Sequence, residues 1–214
     1  MNIYNLQHKK VLVLAPHTDD GELGCGATIA RFIEEGAEVY YAAFSTADES
    51  VPKEFPPNQL EIEVKDATGI LGILPDKLIV FNYQVRKLNY IRQEILDLLI
   101  KMRDDIKPDL VLLPSSKDFH QDHQTVTQEA IRAFKFCSIL GYELIWNNLS
   151  FNTDCFITLT EDQLNKKIKA LSAYKTQAQK NFMSPEFIRS LAIVRGTQIG
   201  TAYAESFEVI RWIL

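Results

Sequence analysis

The chain has 214 residues, 46% of them hydrophobic, a formal net charge of −5 and only three cysteines. That length supports one core of ordinary domain size, so a single domain over 1–214 is expected. The acidic balance, with no dense Lys/Arg stripe, excludes a nucleic-acid binder held by phosphate contacts and directs attention to a small-molecule partner.

Residues 1–10 are polar, and His8 among them is expected to be solvated. The apolar run at 11–14 is too short for a signal-peptide core or a membrane span, which predicts a cytoplasmic protein. V-L-V-L-A at 11–15 predicts a first strand, followed by a helical pattern from 24 to about 35 that closes before Gly36. Residues 37–44 predict a second strand, and 59–71 a helix closed by Gly72 and Pro75. The intervening stretch, 45–58, carries three prolines and reads as a loop. A third strand is predicted at 77–81, and Ile91, Ile95, Leu98, Leu99 and Met102 recur at helical spacing. L-V-L-L-P at 110–114 makes a fourth strand, and a helix over about 122–136 has Asp122 at its N-cap position. Beyond it the pattern weakens to strands at 143–147 and 155–159, helices at 162–179 and 185–195, and a terminal strand at 206–213.

Continuous apolar strands alternating with amphipathic helices imply a parallel sheet covered on both faces. The expected fold is α/β, a Rossmann-like three-layer sandwich with a mainly parallel sheet. In such sheets ligands bind outside the carboxyl ends of the strands. Two clusters fall there: A-P-H-T-D-D-G-E-L-G-C-G-A-T at 15–28 and D-F-H-Q-D-H at 118–123. Within them His17 and Asp20, and His120 and His123, are spaced i,i+3, which turns two side chains the same way. Imidazoles with a carboxylate suit zinc better than magnesium, and an open fourth position would make the site catalytic. A lone loop histidine is usually structural; two such clusters at the ends of two parallel strands are not a plausible coincidence.

Three further readings compete locally. G-C-G at 24–26 suggests a dinucleotide loop, but Asp19, Asp20 and Glu22 stand where a pyrophosphate needs bare amides. Cys25 is read as a small buried residue and not as a soft ligand, and Cys137 and Cys155 as reduced core thiols. Asp122 can serve equally as a helix cap or as a catalytic group.

At these residues the chain resembles the LmbE-like, or PIG-L, family of zinc-dependent de-N-acetylases, whose signatures are close to A-H-P-D-D-x-E-L-G-C-G-G-T-I and H-x-D-H. The likeness extends weakly through E-x-x-x-A-x-x-x-L-G at 63–72 and A-E-S-F at 204–207. Here proline precedes His17, Thr18 takes the usual proline place and Ala27 replaces a glycine, departures that alter the loop path and remove no ligand. Carried over residue by residue, the resemblance implies that His17, Asp20 and His123 bind Zn2+, with Asp19 as general base and His120 as the acid or oxyanion-stabilising histidine. Asp122 would hold and charge His120, and Glu22 is the fallback base. Adjacent Arg86 and Lys87, after the third strand, offer a grip for an anionic substituent, Arg86 foremost. The resemblance further implies removal of acetyl from an N-acetylated amino sugar or conjugate, and assembly into homo-oligomers. The alternatives are a zinc amidohydrolase acting on a non-sugar amide, or an inactive metal-binding homologue.

Overall fold

The computed structural model describes residues 10–213; His8 lies outside them. Seven strands form one sheet in the order β3-β2-β1-β4-β5-β7-β6. β1 (Lys10–His17), β2 (Glu38–Ser45), β3 (Leu78–Val80), β4 (Leu110–Pro114) and β5 (Ser138–Tyr142) run parallel. β6 (Cys155–Leu159) and β7 (Tyr203–Arg211) complete the sheet antiparallel. Six α-helices accompany them among the described residues: α1 (Asp20–Glu34), α2 (Gln59–Leu71), α3 (Arg92–Ile106), α4 (Gln121–Ala133), α5 (Glu161–Leu171) and α6 (Pro185–Gln198).

Strand alternation divides the core in two. Val11, Val13 and Ala15 of β1 pack with α1, α2, α5 and α6, while Leu12 and Leu14 pack with α3 and α4 on the opposite face. Both faces of β1 are therefore buried, which is why it reads as an unbroken apolar run. The three-layer α/β expectation holds.

Several boundaries differ from expectation. β1 continues to His17, and α1 starts at Asp20, not at 24. Short Gly-rich turns carry little periodicity, so the first helical turn was invisible to pattern. No strand occupies 143–147; the fifth strand is S-I-L-G-Y, with Gly141 so close to its neighbours that an added Cβ would lie 2.9 Å from the Ser115 Cα. The helix expected over 162–179 stops at Leu171, because Tyr174 turns inward and its hydroxyl donates to the Thr18 carbonyl at 2.7 Å. Cys25 is fully buried as expected, whereas Cys137 and Cys155 are half-buried. No helix among the described residues is long and apolar enough to cross a membrane.

Glycine at 24 is demanded by packing: a Cβ there would meet the Tyr142 ring at 2.2 Å, and that ring is fully buried with its hydroxyl donating to the Leu14 carbonyl at 2.9 Å. Gly24→Ala is expected to cost about 1–3 kcal/mol, the usual penalty of overpacking. Gly69→Ala, where nothing lies within 4 Å of the new atom, should instead stabilise α2 by about 0.5–1 kcal/mol. Urea unfolding of the two variants checks both signs.

Candidate metal and active site

β1 and β4 are neighbours in the sheet, and the chain leaves their carboxyl ends into α1 and α4. That topology brings clusters about a hundred residues apart into one cleft of about 460 Å³. His17, Asp19, Asp20, His120 and His123 all line it, as does Arg86.

Three atoms form a nearly equilateral triangle. His17 Nδ1 and His123 Nε2 each lie 3.1 Å from Asp20 Oδ2, and 3.2 Å from one another. Ligands of a tetrahedral zinc with bonds near 2.0 Å stand about 3.3 Å apart, so the donor set fits that ion in type and spacing. The outer nitrogens are committed elsewhere: His17 Nε2 is 3.0 Å from Asp122 Oδ2, and His123 Nδ1 is 2.7 Å from Asp118 Oδ2. When each carboxylate accepts from the outer ring N–H, the inner nitrogen of the neutral imidazole carries the lone pair, the arrangement found behind metal-bound histidines.

His120 also stands near the two other histidines, with donor atoms of the three within 4.8 Å. Its role is different. It is the N-cap of α4, and its Nδ1 accepts the Asp122 amide at 3.2 Å. A neutral imidazole that accepts at Nδ1 carries its proton on Nε2, so in this tautomer His120 presents a hydrogen-bond donor to the cleft. Burial and the neighbouring His123 and His17 push its pKa down to about 4.

Two expectations about Asp122 are thereby corrected. It does not cap α4, since the helix begins one residue earlier with His120 as cap. Nor does its carboxylate bond His120: it faces His17 Nε2 and accepts the Arg86 amide at 2.5 Å and the Leu88 amide at 3.2 Å, and its charge raises the His120 pKa less than burial, His123 and His17 lower it. These bonds hold its pKa down against burial. They also pin Arg86 in the left-handed region, φ 64°, a strained backbone that a buried carboxylate can sustain. Lys87 parts from its neighbour, with its ammonium over the Tyr90 ring.

Asp19 sits between strand and helix, half-buried, with no side chain of the described residues bonded to its carboxylate. Burial and the Asp20 charge raise its pKa, while Lys180 and His17 oppose the rise. Glu22 is fully buried, off the cleft, and bonded by the hydroxyls of Tyr41 and Tyr174 (2.8 Å for the latter). Burial pushes it up to about 8. It is thus a structural acid.

Sequence pattern missed several groups. Asp118 opens D-F-H-Q-D-H, but nothing in its spacing to His123 announces a hydrogen bond around a helix start. Trp146, stacked on Phe182 at 3.8 Å, and Lys180 form the far wall of the cleft. They come from the part of the chain where periodicity fades. Among the described residues Arg86 and Lys180 are the only Lys/Arg lining the cleft.

The protonation of this cluster has a sign that can be measured. Burial alone would depress His17 and His123, yet the Asp20 charge and the carboxylate hydrogen bonds lift them from 6.5 to about 9 and about 10. Burial lifts Glu22 from 4.5 to about 8. The metal-free folded state therefore holds more protons than the unfolded chain. The histidine contribution is complete below pH 6.5 and lost as pH rises through about 9 to 10. The thermal midpoint of chelator-treated protein should fall across that range, and added zinc should restore it more strongly at high pH, where fewer protons must leave. A midpoint of the metal-free protein that climbs with pH would contradict this.

The model of the PIG-L family, described as GlcNAc-PI de-N-acetylase, matches residues 12–134, more than half of the chain and both clusters. An uncharacterized deacetylase of Escherichia coli K12, YaiS, is 27% identical over 179 residues, covering 79% of this chain and 92% of that protein. The structure of N,N'-diacetylchitobiose deacetylase from Pyrococcus horikoshii is similar at a TM-score of 0.79 and 24% identity, over 95% of this chain and 84% of that one. GalB of Pseudomonas putida KT2440, a 4-carboxy-2-hydroxymuconate hydratase, is similar at 0.80 and 19% identity, over 96% and 98% of the chains. At these identities the two solved structures speak for the fold. The family match speaks for the chain: it belongs to the PIG-L family of GlcNAc-PI de-N-acetylase-like proteins.

Proposed function

We propose that this protein is a zinc-dependent amidohydrolase that removes acetyl from an N-acetylated amino sugar or sugar conjugate, giving acetate and a free amine. The observation that carries the reading is the triangle of His17 Nδ1, Asp20 Oδ2 and His123 Nε2 in one cleft with an uncommitted Asp19 and a donor His120. Zinc, when bound there, supplies a Lewis acid that acidifies water and polarises a carbonyl.

The chain's own groups complete the chemistry. Asp19, adjacent to a ligand but not one itself, accepts a proton from the attacking water, and its raised pKa favours holding that proton. As the water oxygen bonds to the acetyl carbon, negative charge grows on the amide oxygen, and His120 Nε2–H donates to it. His120 thus acts as a neutral donor, in the oxyanion-stabilising one of the two roles open to it from sequence. When the C–N bond breaks, the proton on Asp19 passes to the leaving nitrogen. Asp122 and Asp118 act through the imidazoles they orient and are positioning residues.

The cleft also supports the substrate class. Its metal end is polar, whereas Trp146 and Phe182 offer flat apolar surface, and Arg86 and Lys180 supply positive charge. A sugar with an anionic substituent suits that combination. The decisive experiment is a screen of N-acetylated sugars, sugar phosphates, nucleotide sugars and acyl-cysteinyl conjugates with zinc-loaded protein, reading free amine and acetate.

Two outcomes are expected. Asp19→Asn keeps the shape of the side chain and should retain metal while losing at least about a hundredfold in kcat. Near-normal kcat with full metal content would remove Asp19 as the base. Arg86→Ala should raise KM for a phosphorylated or nucleotide-linked substrate much more than for the neutral sugar, and salt should weaken the wild-type preference. Equal effects on both substrates would return Arg86 to the ordinary surface.

A further inference from the structure

Helix α1 is interrupted at Cys25, whose φ of −145° and ψ of 24° lie outside the helical region. In an unbroken helix the Ala27 amide would donate to the Leu23 carbonyl, four residues back. Here the Leu23 carbonyl accepts from Lys167 Nζ at 2.7 Å, and the Ala27 amide donates to Glu205 Oε1 at 3.3 Å. Lys167 Nζ and Glu205 Oε1 are themselves 2.6 Å apart. The next amide, Thr28, donates to Glu205 Oε2 at 2.7 Å. An ion pair is spliced into a single helical hydrogen bond. Its cation meets the carbonyl end of the first turn and its carboxylate the amide end of the segment that follows, the polarity each helix end favours. Both side chains are buried, and Gly26 lets the Lys167 stem lie against the backbone, 3.1 Å from where a Cβ would be.

The turn detached by this break begins with Asp20 and follows Asp19. Its direction is therefore independent of the remainder of α1. A buried ion pair is a poor stabiliser compared with a well-packed apolar pair of similar volume, because of the desolvation it requires. It does, however, fix direction, through charge-assisted bonds to three specific backbone groups.

We propose that Lys167 and Glu205 are positioning residues for the metal-binding turn, holding the break at Cys25 so that Asp20 meets His17 and His123 at ligand distance, and thereby setting metal affinity. The inference rests on the metal reading of those three residues. Its test measures zinc affinity by chelator competition, together with the thermal midpoint, in full-length protein. Lys167→Met and Glu205→Gln should bind zinc about tenfold to a hundredfold more weakly than wild type. Leu99→Ala, which removes a fully buried side chain on the opposite face of the sheet, should lower the midpoint and leave zinc affinity unchanged. Should Lys167→Met not fold, Glu205→Gln carries the test, since it keeps the side-chain shape and an acceptor oxygen for one of the two amides while discharging the pair. Wild-type zinc affinity in the pair variants, at a midpoint loss matching Leu99→Ala, overturns the proposal. His123→Ala separates the two levels: if it too keeps zinc, the metal assignment is what has failed.

Discussion

Two hydrogen bonds decide what the cleft can do: Asp122 to His17 Nε2 and Asp118 to His123 Nδ1. An imidazole has one proton to place when neutral, so a carboxylate on one nitrogen determines the chemistry of the other. With both outer nitrogens engaged, the inner ones face Asp20 and, once their protons leave, offer lone pairs to a metal; the three atoms approach to 3.1 and 3.2 Å. On the proposed reading the same logic leaves His120 outside the ligand set. Its inner acceptor is occupied by a backbone amide, and what remains is an N–H pointing into a site where a carbonyl oxygen will become negative. The proposed function thus sorts three identical side chains into two ligands and one donor by their hydrogen-bond partners.

The sheet order explains why these partners can meet. β1 and β4 are adjacent although separated in sequence by two strands and three helices, and their carboxyl ends open a crevice of the kind in which such folds bind ligands. β3, at the sheet edge, delivers the loop with Arg86, and Asp122 draws that loop in by accepting the Arg86 and Leu88 amides. One carboxylate therefore orients the His17 ring and fixes a wall of the cleft at once. Changes at Asp122 will not separate metal affinity from substrate affinity cleanly.

What the sequence makes legible follows from range. Strands at 11–15, 37–44 and 110–114 are buried on both faces and announce themselves as apolar runs, and α2 was readable to the residue because Gly72 closes it with φ at +100°. His17, Asp20, His120 and His123 were readable because each pair lies within one turn of chain. Asp118 and the splice at Cys25 were not. The Lys167–Leu23 bond spans 144 residues and the Glu205–Thr28 bond 177, and no local pattern encodes such partners. The misplaced fifth strand and the overextended fifth helix have the same origin: packing of Gly141 on Ser115, and the Tyr174 hydroxyl on Thr18, outweigh modest local propensity.

The fold by itself does not choose a reaction, since a hydratase and a deacetylase are similar to this chain to nearly the same degree. The choice rests on side chains at the crevice. Metal-assisted hydrolysis of an amide needs a base free of the metal, a donor aimed at the carbonyl oxygen and a proton returned to nitrogen, and in the proposed function Asp19 and His120 cover those needs. Asp19 lies outside the triangle of His17, Asp20 and His123, and the two successive carboxylates diverge where the chain leaves β1 and starts α1. The break at Cys25 makes that short turn an independent piece, held by Lys167, Glu205, Tyr41 and Tyr174 and not by helical continuity. The irregularity of α1 is in this sense the structural condition for giving neighbouring aspartates different work.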